Sequence, residues 1–242
     1  MDIQNRLGLI ECTETMLAHS QRLNQTSNNL ANVNTDGYKK EKVTFWEMLY
    51  KTSGDRPRVG KALKQVTDHE QGAIKQTGNQ LDFAINGEGF FKVMTKNGPG
   101  YTRAGHFLVN NQGQLVTPNA DLVLGEGGPI NIRGRNISVA EDGTISENGV
   151  VVNRLVLVNF DNLNSLEKYG KNLFRPAGED SNEIPVNNPS VKQGYLEASN
   201  VNTVNEMTDL IDLQRAYASQ QRVISSFDEL DEMAITRLGR LE

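Results

Sequence analysis

The chain has 242 residues, a formal charge of −5, and 37% hydrophobic against 23% charged residues. That length can bury a sizeable core and suits one or two domains. The acidic balance gives no footprint for nucleic acid, and no stretch nears the ~20 apolar residues of a membrane span.

The single cysteine, Cys12, excludes an internal disulfide framework. The first residues carry Asp2, Arg6, Glu11 and Glu14 rather than a basic head and an apolar run. That pattern argues against a cleaved secretory signal, so any route out of the cytoplasm is expected to read something else.

From Ile3 to about Asn32 the pattern is helical. Leu9, Met16, Leu23 and Leu30 recur every seven residues, and Ile3, Leu7, Ile10 and Leu17 widen the apolar face. Thr13, Ser20 and Ser27 form a parallel row of small residues that permits close helix approach. Asn and Asp compete for backbone hydrogen bonds, and Gly accepts a left-handed conformation. The helix is therefore expected to stop between Asn29 and Asn34, with Thr35–Gly37 as a turn. Tyr38 to Tyr50, with Val43, Phe45, Trp46, Met48 and Leu49, reads as a short helix or an extended arm. Residues 51–70 are polar, with Ser53–Gly54 and Pro57, and read as a flexible connection.

From about Gly72 the period becomes two. Leu81, Phe83 and Ile85 alternate with polar neighbours, and Phe83, Phe90 and Phe91 read as core. Turn signals such as Asn86–Gly87, Asn97–Gly98 and Asn148–Gly149 punctuate short strands, and Val150–Phe160 is the most apolar strand region. This spacing indicates an antiparallel sandwich or barrel. Asp161 to Tyr169 reads as a short helix capped by Asp161, and 170–193 as a long polar loop.

The last forty residues give the strongest signal. Between Val204 and Gly239 there is no Gly or Pro. Leu210, Tyr217, Ile224 and Leu238 form one apolar row, Leu213, Phe227, Ala234 and Leu241 a second, and Ala216, Val223 and Leu230 a third. Thr203 and Glu206 have capping-box spacing. A helix of ~38 residues is roughly 57 Å long and needs a partner over most of that length. The fold class is thus α+β. Helices at 1–36 and 200–242 pair, either as an ordinary hairpin or as a coiled-coil-like assembly seam. A linker or extended arm covers 37–71, and an inserted β domain covers 72–199. The seam residues are Leu9, Met16, Leu23, Leu30, Leu210, Leu213, Tyr217, Ile224, Phe227 and Leu238.

Four blocks of sequence carry a resemblance. Residues 27–39, containing Asn28-Asn29-Leu30-Ala31-Asn32 and Thr35-Asp36-Gly37-Tyr38-Lys39, resemble the signature of bacterial flagellar rod and hook proteins. Asp82–Phe91, Tyr101–Gly105 and Gly194–Asn202 resemble three further shared blocks, in the same order. The chain resembles the flagellar basal-body rod family of the FlgF/FlgG type. The short stretch from Tyr50 to Gln71 favours the proximal-rod branch over the distal one.

The resemblance implies a structural subunit, not an enzyme. It implies export through the flagellar type III gate and assembly with other rod subunits into a periplasmic tube. The terminal helices would form the inner layer and the β domain the outer. Phe45 and Leu49 are similar to the aromatic-x-x-x-aliphatic motif presented to the export gate. No cofactor, nucleic acid or membrane insertion is expected.

Other chemistry is weaker. Gly54–Ala62 has five residues between its glycines and Ala after Lys61, unlike a phosphate loop. Cys12 and His19 share a helical face, but two ligands do not close a zinc site. Glu179–Asp180 and Asp228–Glu232 read as solvated charge. A rival reading, a periplasmic glycan-binding or glycan-cleaving β domain, requires clustered exposed aromatics or a carboxylate pair in a cleft.

Overall fold

Both long periodic runs form helices. The computed structural model describes residues 3–51, 57–134, 136–170, 172–178 and 182–238. Contacts divide the chain into two compact units: 1–31, 41–66 and 202–242 in the first, 32–40 and 67–201 in the second.

The first unit contains α1 (Ile3–Ala31), strands β1 (Glu41–Lys51) and β2 (Pro57–Thr67), and α2 (Thr203–Leu238). Helix α1 packs on α2 and on β1. Strands β1 and β2 pair with each other as a two-stranded ribbon. The extended alternative for Tyr38–Tyr50 is therefore the one adopted. The connection expected after it is largely a strand.

Helix α2 is capped one residue before the expected position. Asn202 Oδ1 accepts from the N–H groups of Val204 and Asn205 at 3.1 and 3.2 Å. Its carbonyl accepts from Glu206 N–H at 3.0 Å. Asn presents its oxygen from the preceding extended residue, which leaves Thr203 as the first helical position.

The second unit is antiparallel β. Its strands are β3 (Ile74–Gln76), β4 (Phe83–Ile85), β5 (Phe90–Thr95), β6 (Gly98–Thr102), β7 (Leu108–Val109), β8 (Leu115–Val116), β9 (Leu122–Gly125) and β10 (Gly128–Pro129). They continue as β11 (Ile137–Val139), β12 (Thr144–Glu147), β13 (Val150–Arg154), β14 (Leu157–Phe160), β15 (Leu166–Lys168), β16 (Leu173–Pro176), β17 (Glu183–Pro185), β18 (Val191–Gln193) and β19 (Tyr195–Glu197). The main sheet runs β15-β16-β6-β5-β9-β8-β7, with β10 on β9, β14 on β5 and β17 on β14. That path is open, so among the described residues no closed barrel forms. A three-stranded sheet β11-β12-β13 and the pairs β18-β4 and β19-β3 complete the unit.

Strand β5 shows why two cores form. Successive side chains point to opposite faces. Phe91 and Val93 enter one cluster, with Phe83, Phe107, Leu115 and Ile130, while Phe90 enters another with Tyr101, Phe160 and Phe174. The run Val150–Phe160 is not uniformly internal: Val150 and Val151 on β13 are 68% and 66% exposed. The expected helix near Asp161 is a single 3-10 turn, Leu163–Ser165, capped by Asn162, and the next residues pair as β15. The expected loop after residue 170 contains β16, β17 and β18, three- or four-residue strands too short to show a period.

Candidate functional site

In the first unit, Asn29 joins the end of α1 to its surroundings. Its Nδ2 donates to the Glu41 carbonyl at 2.9 Å, and its Oδ1 accepts from Glu41 N–H at 3.0 Å, as a strand partner would. The same Nδ2 donates to Glu206 Oε2 at 3.4 Å, so the acidic residue in the first turn of α2 turns toward α1. Gln25 Nε2 donates to Glu41 Oε2 at 2.8 Å, and Gln25 Oε1 accepts from Gln65 Nε2 at 2.7 Å. Gln25 and Asn29 are both buried, and this network satisfies them.

In the second unit all four signature blocks meet. Glu197 is buried between Lys39 and Arg103, which are buried as well. Its carboxylate accepts from Lys39 Nζ at 2.5 Å, Gly72 N–H at 3.0 Å and Arg103 Nη1 at 3.4 Å. Two cations thus share one carboxylate. The surplus positive charge is met by carbonyls: Lys39 also donates to Glu70 O at 2.6 Å, and Arg103 to Gly87 O at 2.6 Å. Burial lowers the proton affinity of both cations, and Glu197 opposes that shift at each.

Gly37 reaches this cluster through a φ of +67°. Its N–H donates to Glu197 O at 2.7 Å, and a Cβ there would lie 2.3 Å from Ala104 N. Gly105 is equally constrained, since a Cβ would lie 1.6 Å from Phe83 O. Tyr38 is buried beneath Lys168 Nζ, 4.0 Å from its ring centroid. Lys40 N–H donates to Asn200 Oδ1 at 2.7 Å, and Asn200 Nδ2 donates to Asp68 O at 2.9 Å.

The remaining motif residues lie around these. Leu30, Asn32 and Thr35 are half-buried, and Asn28 and Ala31 are exposed. Of the seam residues, Leu213 is buried, and Met16, Leu23, Leu30, Leu210, Tyr217, Ile224 and Phe227 are half-buried. Leu9 and Leu238 lie on α1 and α2, and Phe45 and Leu49 on β1, but their side chains are outside the described residues. Ile10 and Leu17, expected to widen the covered face of α1, are exposed. Glu179, Asp180 and the 54–56 part of the Gly54–Ala62 stretch also lie outside the described residues.

The arrangement is adhesive rather than catalytic. Its charged groups are shut from solvent and engaged with each other. Among the described residues no group of three or more His, Cys, Asp or Glu is placed to hold a metal ion, and no helix is long and apolar enough to cross a membrane. Phe83, Phe90 and Phe91, which a glycan platform would need at the surface, are core. Sequence reasoning missed the role of Lys39, Arg103 and Glu197. The available signal was that each stands inside a signature block.

Comparison with known proteins gives matches along the chain. Residues 13–39 match the family model "Flagella basal body rod protein", residues 84–152 "Flagellar hook protein FlgE/F/G D1 domain", and residues 192–237 "Flagellar basal body rod FlgEFG protein C-terminal". The rod protein FlgF of Caulobacter vibrioides is 37% identical, over 91% of this chain and 93% of its own length. FlgG of Bacillus subtilis is 34% identical over 86% and 90%, and FlgF of Rhizobium meliloti 33% over 96% and 98%. With relatives of both types matched over most of its length, and with residues from each of its four signature blocks meeting around Glu197, the chain belongs to the flagellar basal-body rod proteins of the FlgF/FlgG family.

Proposed function

We propose that the chain is a non-catalytic subunit of the proximal rod that assembles with copies of itself and related subunits through its terminal helices. The observation that carries this reading is apolar surface left on both helices. Ile10 and Leu17, seven apart on α1, are 53% and 58% exposed. On α2, Val204, Met207 and Ile211 form one exposed group and Val223, Leu230 and Met233 another. Large apolar side chains repeated at helical spacing along an uncovered face mark a surface that neighbouring molecules cover. The short stretch between Tyr50 and Gln71 supports the proximal position. In this reading the tube carries torque across the periplasm, and Phe45 and Leu49 present the chain to the export gate.

The test uses exposed positions, whose substitution spares the subunit. Leu17→Asp and Leu230→Asp are expected to leave the circular dichroism of the dilute monomer unchanged and to abolish tubes in negative-stain micrographs and motility in cells. Phe45→Ala with Leu49→Ala is expected to fail earlier, with the protein retained in the cytoplasm. Normal tubes from the Asp variants would remove the helical-seam reading.

A further inference from the structure

A cavity of about 180 Å³ opens within the second unit, lined in part by Thr35, Asp36, Thr102, His106, Asn119 and Asn172. It is distinct from the Glu197 cluster, and no role described above uses it. Most of its polar groups are already engaged. Thr102 Oγ1 donates to the Asn172 carbonyl at 2.9 Å, Asn172 Nδ2 donates to the Asp36 carbonyl at 3.1 Å, and His106 Nδ1 lies 2.8 Å from Asp82 Oδ1. The Asp36 carboxylate is different. Among the described residues no hydrogen bond or ion pair reaches it; burial and the nearby Asp82 disfavour its charge, which His106 and Lys75 favour. Among the described residues, two of the three non-glycine residues with positive φ stand at this cavity or beside it: Asn172 at 59° and Ala120 at 67°. Such conformations are held where the surrounding structure fixes them. Two residues beyond His106, strand β7 ends the main sheet and exposes Leu108 and Val109.

We infer that this cavity receives a lysine or arginine side chain from a second copy of the chain, with the open edge of β7 as the adjoining contact. The volume suits one long side chain. The unengaged carboxylate supplies the complementary charge. Leu108 and Val109 give that contact exposed apolar surface two and three residues from His106, which lines the cavity. This inference rests on the self-assembly proposed above. A partly desolvated carboxylate that meets a cation forms one of the stronger hydrogen-bonded pairs.

Sedimentation of the full chain across a concentration series tests it, with Asp36→Asn, Asp36→Glu and Asn119→Lys beside the unsubstituted protein. Asp36→Asn is expected to raise the concentration needed for assembly about tenfold or more. Asp36→Glu, which keeps the charge, should stay close to the unsubstituted chain. Asn119→Lys, which places a cation of the same molecule at the rim, should behave as Asp36→Asn does. Thermal melting of each at low concentration checks that the subunit remains folded. Assembly of Asp36→Asn and Asn119→Lys equal to that of the unsubstituted chain would overturn the inference while leaving self-assembly standing. Failure of the unsubstituted chain to assemble would overturn self-assembly itself. If N-acetyl-arginine amide shifted the His106 resonances to saturation but the variants assembled normally, the cavity would be a small-cation site instead.

Discussion

Glu197 is the shared anion of two buried cations, and it holds Gly72 through its carboxylate and Gly37 through its carbonyl. Removing one member of a buried ionic group leaves charge unpaired, at a typical cost of about 3–5 kcal/mol. Glu197→Gln, which keeps the shape and removes the charge, is expected to destabilise the β unit by about that much in urea unfolding. A cost below about 1 kcal/mol would show the pair to be energetically idle. His69 makes a second residue-scale prediction. Its ring nitrogens are sealed from solvent, with Phe174 at 5.4 Å and Phe90 at 5.8 Å between centroids. Burial, with Lys39 close by, lowers its pKa from 6.5 to about 4. The unfolded chain therefore binds a proton between these values that the folded chain does not. The stabilising contribution is full above about pH 6.5 and is lost as pH falls toward 4. Melting temperature should decline over that window, and His69→Leu should flatten the decline.

The two helices differ in kind from the strands. In the β unit, each strand pairs with another strand of the same unit, and buried side chains gather in two core clusters. Helix α2 spans 36 residues, and its apolar residues lie on a half-buried side and an exposed side. Helices of this sort gain their stability from packing rather than from intrinsic propensity. Fixing each residue costs about 1–2 kcal/mol of backbone entropy, which only burial offsets. The C-terminal half of α2, beyond Val223, is therefore expected to exchange amide hydrogens quickly in the dilute monomer and slowly in the assembled tube. Ellipticity at 222 nm should rise on assembly. Equal helix content in both states would contradict the expectation.

At the scale of the molecule, a complementation experiment checks the assignment within the family. The chain is expected to restore motility to cells lacking a FlgF-type subunit and not to cells lacking a FlgG-type one. How much of this was legible in the sequence depended on the range of the interactions. The helices were readable because their period repeats over many turns and nothing breaks it. The ribbon strand Pro57–Thr67 was not, because Arg58, Lys61 and Lys64 interrupt any alternation. Strands β16 to β18 were hidden for a related reason: in an otherwise polar stretch β16 contributes two buried side chains, β18 one and β17 none. The Glu197 cluster was least readable of all. Lys39 and Glu197 stand 158 positions apart, and no local pattern announces a pair at that separation. The chain passes from one unit to the other four times, near residues 31, 40, 67 and 201. Close to the last three crossings, Lys40 is bonded to both Asp68 and Asn200, and Asn200 to Asp68. These bonds tie together three segments of the second unit that lie far apart in sequence. On the rod reading proposed above, a pull on one of the three is expected to be shared with the other two.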